Sequence, residues 1–466
     1  MNPQCGLRRS VSWRSAVLLS LGTALLVFVS IGPMAGEIGT ATPWVWLGVA
    51  VVGALQCLLL SELAVRFPDR AGGTPMYVHT VLGRRSPLTA AISSWGYWFA
   101  WTPGIAVNLI LAATYLRATI LPGVEVLPLA IAIGIVLYVV NGLGLEPSMR
   151  LAGCLACVAL VPLGLAFIGL LLQPSLLDLS RLVPVRVSSD SGSPAWLLIA
   201  KWSFVAAWSA YGAEMASTIV AEMKAGAKEA PRAMFTAAAV GLVGFGLMPF
   251  LVFAVVGAQG LSADPLVAFL PFAEAVGGGA GRIVVGILLA SALILGAQAF
   301  IVGSSRTVFQ MAHDGYIPRA FAAVNRRQVP IGSLALDGLV IFGLLALFGT
   351  RVVDVVAAAN VGYIVVFGLM PVAFLLVRLH EGGAGARWTS PLNLLAAALL
   401  MFNALLLLVG GTQWGGKVML TGAIVMALIV PISLLRRWQD HRAGYPALPP
   451  LFRGQRVSKA LQEVGR

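Results

Sequence analysis

Trp208-Ser209-Ala210-Tyr211-Gly212-Ala213-Glu214 lies inside an apolar stretch, residues 194–221, long enough to cross a bilayer. A carboxylate at that depth is expensive in lipid and by default marks a functional site. Gly212 lets the backbone leave the helix, which membranes tolerate only where the chain lines a cavity or is covered by protein. Two aromatics, Trp208 and Tyr211, flank the interruption. The stretch reads as part of a solute pathway through a membrane.

Composition supports that setting. Of 466 residues, 59% are hydrophobic and 11% charged, with mean hydropathy +0.91. A soluble domain carries about 25% charged residues, so this is a polytopic membrane protein. The net charge of +13 is then a matter of placement and implies no nucleic-acid partner. Of the cysteines, Cys57, Cys154 and Cys157 fall in apolar spans and read as buried free thiols, while Cys5 precedes them. Four scattered histidines give no metal spacing. No metal and no cofactor are expected. Arg8, Arg9 and Arg14 precede a long apolar run without a convincing cleavage site, which reads as a retained first span.

Apolar stretches of roughly 20 residues fall at 15–41, 44–65, 86–117, 124–142, 150–173, 194–221, 233–258, 281–312, 331–349, 352–379, 391–411 and 417–435. Lys and Arg set the orientation. The side holding the N-terminus receives Arg66, Arg70, Arg84, Arg85, Arg150, Lys224, Lys228, Arg232, Arg306, Arg319, Arg326, Arg327, Arg378 and Arg387, and the basic tail. The other side keeps Arg117, Arg181, Arg186, Arg282, Arg351 and Lys417, with Lys201 near the end of the sixth span. Both termini are thus expected in the cytoplasm, with the protein in the inner (plasma) membrane. Residues 1–14 form the cytoplasmic N-terminus and 436–466 the tail, which either lies along anionic headgroups or is simply solvated.

A second interruption, Ser30-Ile31-Gly32-Pro33-Met34-Ala35-Gly36, falls in the first span, five spans before the one at Gly212. Broken helices at corresponding places in two halves point to a transporter site built on inverted repeats. Pro and Gly also occur as plain kinks in membrane helices.

Three further stretches carry a resemblance. Ser61-Glu62-Leu63-Ala64 leads into Phe67-Pro68-Asp69-Arg70-Ala71-Gly72-Gly73-Thr74-Pro75-Met76-Tyr77. Tyr211-Gly212-Ala213-Glu214 leads into Ala221-Glu222-Met223-Lys224 and Ala230-Pro231-Arg232-Ala233. Ser305-Arg306-Thr307 leads into Ala312-His313-Asp314-Gly315-Tyr316-Ile317-Pro318. Together they resemble the amino acid–polyamine–organocation permeases, over spans one to ten; spans eleven and twelve match in hydropathy only. Within that superfamily, Tyr97-Trp98-Phe99-Ala100, Val161-Pro162 and Trp208 are similar to bacterial arginine–agmatine antiporters.

The resemblance implies an all-α membrane protein of about twelve transmembrane helices with the five-plus-five inverted repeat of the bacterial leucine transporter. Residues 15–173 would form the first repeat, 194–379 the second, and 391–435 the last two spans. In that fold, helix ends and unwound backbone hold a zwitterion, donors facing its carboxylate and carbonyls its ammonium. By position Ser30, Ile31 and Gly32 would supply donors, and the carbonyls of Trp208 and Tyr211 would accept. Pro33 has no N–H to offer, which keeps a plain amine in contention. Glu37 would attract a cation at the outer mouth or serve as an interfacial carboxylate.

Trp208 would stack on the substrate, with cation–π attraction to an ammonium, or pack at a lipid interface. Phe300, Trp101 and Ile105 face the presumed site, with core packing the rival reading for Phe300. Ile105 stands where the arginine antiporters place an amide, and Asn108 is about a turn away, so a substrate less polar than arginine is expected. Glu214 would act as gate, proton carrier or ammonium partner, or structurally pin the break. Glu62, Glu222, Lys224 and Arg306 would form the cytoplasmic gate network, against a plain solvated face. Gly296 and Ala297 stand where a sodium site would need hydroxyls, and no Lys or Arg lies between Arg150 and Arg181. Sodium-independent transport by proton symport or exchange follows.

The function expected is a permease for amino acids working by alternating access, the alternative being an amine or polyamine permease or antiporter without a carboxylate cradle. The partners are a small amino acid or amine and membrane lipid; a homodimer is left open. An enzyme would need a nucleophile, base or metal set at membrane depth, and a channel would need selectivity-filter-like polar rings. The sequence has neither.

Overall fold

The computed structural model describes residues 9–451 except 25–26, 71, 84, 188–191, 349–352, 382–388, 447 and 449–450. Expectations for Cys5, Arg8, Arg84, Arg351, Arg387 and the tail beyond residue 451 lie outside them. The described chain is helical throughout: α1 Trp13–Ala24, α2 Val27–Ile38, α3 Thr42–Arg66, α4 Thr74–Leu82, α5 Pro87–Thr119, α6 Val126–Leu143, α7 Leu145–Leu172 and α8 Ala195–Ala210. It continues as α9 Gly226–Gly241, α10 Met248–Ala263, α11 Leu270–His313, α12 Ile331–Phe348, α13 Val353–Glu381, α14 Pro391–Leu405, α15 Gly416–Ala427 and α16 Ile429–Arg442. Helix is what lipid demands, because only it satisfies every backbone N–H and C=O within one segment. Among the described residues, eight helical segments are long and apolar enough to span a membrane.

The bundle is built around α5 and α11, which pack on each other and on α13 and α7. Both are nearly uniformly apolar around their circumference and buried over most of their length, as expected of helices surrounded by other helices. The peripheral helices present large apolar side chains outward, among them Leu394, Met401, Leu420 and Ile424. With lipid as solvent, such faces have no need of a protein partner.

The two interruptions take different forms. At the later one, α8 gives way at Tyr211 to a 3₁₀ winding that runs Tyr211–Glu222. At the earlier one, residues 30–36 are helical, within α2. Ile31 and Gly32 sit a turn inside α2, where helical geometry commits their N–H groups to carbonyls four residues earlier. The expectation that these two supply open donors is thus corrected. Pro33 continues the helix but brings no N–H, which leaves the Val29 carbonyl without its helical donor.

Two smaller expectations also change. Cys154 and Cys157 are free thiols but exposed on α7, whereas Cys57, on α3, is buried as expected. The start of the basic tail, through Arg442, extends α16 and folds back: Arg436 and Asp440 pair at 2.8 Å, and Arg319 reaches Asp440 at 2.9 Å.

Candidate substrate-binding site

Twelve residues of 3₁₀ helix is long for that geometry, and this one is held by burial of all twelve. Three residues per turn stack every third side chain on one line. Tyr211, Glu214 and Ser217 therefore share a face, and the Ser217 hydroxyl donates to Glu214 Oε2 at 3.3 Å.

Three other elements aim hydroxyls at the same carboxylate. Thr74 Oγ1, from the first turn of α4, donates to Oε2 at 2.5 Å. Tyr97 Oη, from α5, donates to Oε1 at 2.6 Å, and Tyr363 Oη, from α13, at 3.4 Å. Thr74 gets there through the Gly72-Gly73 turn. Gly73 has φ +74°, and a Cβ on it would lie 2.8 Å from Thr218 Cγ2 and 3.2 Å from Tyr97 Oη. Only glycine lets α4 begin flush against the 3₁₀ segment. Glu214 is fully buried, and its hydrogen-bond partners among the described residues are all neutral hydroxyls.

An aromatic box adjoins this cage and shares Tyr97 and Tyr363 with it. Trp101 is its hub, with ring centroids 4.5 Å from Phe300, 4.8 Å from Tyr363, 5.9 Å from Tyr97 and 6.0 Å from Trp208. The Trp208 indole N–H donates to the Ala100 carbonyl at 2.9 Å, which fixes the ring against α5. Tyr211 turns the other way, its ring 4.9 Å from Phe367 and its hydroxyl 3.2 Å from Asn403 Oδ1. Trp101, Trp208 and Phe300 thus come together, whereas Tyr211 lies behind the box wall. Ile105 is buried in α5, and Asn108 spends its amide on the Gly104 carbonyl at 2.8 Å, leaving Oδ1 buried with no hydrogen-bond partner among the described residues. Ser30 and Ile31 are buried in α2, and the Ser30 hydroxyl likewise has no partner among the described residues. Gly32 is pressed against the end of α10: a Cβ there would lie 2.8 Å from Pro265 Cα and 2.9 Å from Leu261 O. It is a packing glycine in this conformation.

The four gate residues do not form one network. Glu222 and Arg306 make a buried ion pair, and Arg306 Nη1 also donates to Val302 O at 3.0 Å. The chain at Ser10 and Val11 crosses over this pair, both N–H groups donating to Glu222 O at 3.0 and 3.2 Å. Lys224 is exposed and contributes its backbone N–H, to Val11 O at 2.9 Å. Glu62 pairs elsewhere, with Arg378 at 2.7 Å and Arg66 at 2.5 Å. The charges of the second span thus serve α13, not the 3₁₀ segment. A cavity of about 340 Å³ opens on the Glu222–Arg306 pair, with Ser10, Glu146, Arg326 and Arg327 in its wall. It does not reach the aromatic box, none of whose residues line it.

Glu37, in the last turn of α2, is held by Lys201 Nζ at 2.7 and 2.8 Å and by the Trp202 indole N–H at 2.8 Å. One buried acid escaped the sequence reading. Asp337 on α12 accepts from Trp98 Nε1 at 2.9 Å, Ser304 Oγ at 2.6 Å, Tyr138 Oη at 3.1 Å and Thr102 Oγ1 at 3.3 Å. The signal was available: a lone Asp in an apolar span is as costly as a lone Glu. Where a sodium site would need hydroxyls, Gly296 and Ala297 are buried, and Ser291 Oγ donates back to Ile287 O at 3.0 Å.

A bundle of membrane-spanning helices with a caged acid and an aromatic box at its centre defines a membrane transporter, not an enzyme. Residues 11–430 match the amino acid permease family, and the chain belongs to it, within the amino acid–polyamine–organocation superfamily. Membership implies the fold of the bacterial leucine transporter. The chain is 28% identical over 388 residues to an uncharacterized transporter of Mycobacterium tuberculosis, covering 81% of this chain and 82% of that protein. It is 24% identical over 367 residues to the D-serine/D-alanine/glycine transporter of Escherichia coli, covering 72% of each. It is 26% identical over 483 residues to a polyamine transporter of Oryza sativa subsp. japonica, covering 94% of this chain and 82% of that protein.

Proposed function

We propose that the protein is a secondary carrier of amino acids across the cytoplasmic membrane, working by alternating access, independent of sodium, and driven by proton symport or by exchange. The observation that carries this is the aromatic box of Trp101, Trp208 and Phe300 set directly against the Glu214 hydroxyl cage. Indole faces attract an ammonium and the nearby carboxylate balances its charge; the rings, 6.0 Å apart at Trp101 and Trp208, part to admit it. The reading takes twelve spans in a five-plus-five inverted repeat, 15–173 and 194–379, with spans eleven and twelve at 391–435 and both termini cytoplasmic.

In this reading the Glu214 layer, with Tyr97 and Tyr363, closes the box from below, and the Glu222–Arg306 pair closes the cytoplasmic exit. The Glu37–Lys201 pair closes the outer side. The carbonyls of Trp208 and Tyr211 accept from the substrate ammonium where the 3₁₀ winding departs from α geometry. Glu214 is the group that gains or loses a proton, or the gate that a cation opens.

A second reading, an amine or polyamine carrier, draws on α2. Ile31 and Gly32 have their N–H groups committed within the helix, and Pro33 frees a carbonyl, an acceptor suited to an ammonium and not to a carboxylate. Similarity to both an amino acid transporter and a polyamine transporter fits either reading, as does the likeness of 97–100 and Trp208 to arginine–agmatine antiporters.

Thermal stabilisation of the purified protein against a panel of amino acids and polyamines separates the two, since binding stabilises by mass action whatever the transport mode. A neutral amino acid as the stabilising ligand supports the first reading, and amines without a carboxylate support the second. Stabilisation by neither class, with the protein folded, would sink both.

A further inference from the structure

Lys201 has the surroundings of a bound ligand. Its ammonium lies 2.7 and 2.8 Å from the two Glu37 oxygens, 5.6 Å from the Trp202 ring centroid and 5.0 Å from that of Trp414. The two rings meet edge to face, 5.3 Å apart at 84°. A carboxylate with two indole walls is a recognition site for an ammonium: the anion supplies charge and acceptors, and the ring faces supply cation–π attraction.

The walls stand without the lysine side chain. The Trp202 indole N–H fixes Glu37 Oε2 at 2.8 Å, and the Trp414 indole N–H is fixed on the Lys201 backbone carbonyl at 3.1 Å. The box is also partly exposed, with side-chain exposures of 20% for Lys201 and 27% for Glu37. The ammonium is therefore reached from outside the bundle, and a free ammonium competes for the same two oxygens and two ring faces.

We propose that Glu37, Trp202 and Trp414 form an ammonium-binding box at the outer mouth, occupied in this structure by the protein's own Lys201, which a primary ammonium from outside displaces. Displacement removes the Lys201–Glu37 tie between α2 and α8 and leaves the Trp202–Glu37 bond as the remaining polar link at this box, and so couples arrival of an amine to loosening of that side. The word outer rests on the orientation proposed above; the chemistry of the box does not. A tethered competitor acts at an effective concentration in the millimolar range, so the wild type takes a free amine weakly and a chain without the Lys201 ammonium takes it well.

The test uses propylammonium chloride against matched sodium chloride, read as thermal stabilisation and tryptophan fluorescence of the purified full chain. Lys201→Met is expected to bind propylammonium roughly 10-fold or more tightly than wild type. The Glu37→Gln, Lys201→Met double variant is expected to lose that gain, and Trp208→Ala, Lys201→Met to keep it, which places the binding in the box and not at the centre. Should K201M not accumulate, K201Q takes its place with the same outcomes. No gain in either single variant, or a gain that survives E37Q, overturns the box. A gain at the box with no amino acid or polyamine stabilising the wild type would leave the box standing and refute the proposed transport function instead.

Discussion

Glu214→Gln separates the charge of the buried acid from its shape. The amide is isosteric, so the four hydroxyls from Thr74, Tyr97, Ser217 and Tyr363 keep a partner of the same outline. The Thr74 and Tyr97 bonds, at 2.5 and 2.6 Å, have the lengths of charge-assisted or acid–hydroxyl contacts. Bonds of that kind contribute about 1.5–3 kcal/mol and neutral ones about 0.5–1.5, so two downgraded bonds cost roughly 2 kcal/mol. In a chain this long that is at most a few degrees of melting temperature, and the variant should insert and fold. Transport should fare much worse. An amide can neither carry a proton nor balance an ammonium, and uptake into proteoliposomes should fall at least about 100-fold, some 2.7 kcal/mol of barrier. Tyr97→Phe is the calibration, since it deletes one donor and leaves the acid; it should cost about 1–3 kcal/mol and only part of the transport. E214Q uptake within a few-fold of wild type, with the same pH profile, would show that Glu214 merely pins the 3₁₀ segment.

Three other perturbations address different parts of the molecule. Gly104→Ala should blunt substrate-induced stabilisation about 10-fold at a stability cost of about 1–3 kcal/mol, because the new Cβ would lie 2.6 Å from Trp208 Cζ2 and 2.8 Å from Phe300 Cε2; undiminished ligand response would take the substrate out of the box. Glu222→Gln leaves Arg306 buried without its counter-charge, a loss of roughly 3–5 kcal/mol, and should raise hydrogen exchange in residues 215–222; unchanged exchange would deny the pair its closing role. Asp314 lies just past α11: burial would raise its pKa, but His79 at 2.9 Å, Arg70 at 3.3 Å and Gln310 outweigh that and hold it below the usual 3.8. Its stabilising contribution is therefore complete above about pH 4 and is lost as pH falls through the lowered folded-state value, so Asp314→Asn should flatten the acid limb of melting temperature against pH. Parallel curves for the two proteins would refute that assignment.

Much of the helical layout was legible because lipid leaves helices little alternative, and each apolar stretch found in the sequence has helix over its described residues. The place of the later interruption was legible too, since Gly212 and Glu214 conflict with lipid on their face. Its form was not. Whether a backbone unwinds fully or tightens to 3₁₀ depends on what packs around it, and here Gly73 and helices α1, α3 and α9 close on it from outside the segment. The same limit explains α2. Ser30, Gly32 and Pro33 look like a break, yet α10 presses on Gly32 and the helix runs through. Pairings between charges were the least legible. Glu62 and Glu222 each sit in one of the motif stretches, and only tertiary geometry sends one to Arg378 and the other to Arg306.

Asp337 shows how the two buried acids differ in kind. Both are fully buried and both sit among neutral donors, yet their cages join different parts of the bundle. The Asp337 donors come from α5, α6 and α11. Trp98 can only donate, so Oδ1 is always an acceptor there, whereas Ser304 and Tyr138 at Oδ2 can donate or accept. The Glu214 donors come from α4, α5, α13 and the 3₁₀ segment itself. Adjacent residues of α5, Tyr97 and Trp98, thus serve opposite acids, and α5 is the one helix common to both cages. A rigid α5 holding Asp337 on one side and offering Tyr97 on the other fits a division of labour in alternating access. The Asp337 cage ties α5 to α6, α11 and α12. In the proposed alternating access, the Glu214 cage, built on a winding that departs from α geometry and touching the aromatic box, would be the junction that opens and closes.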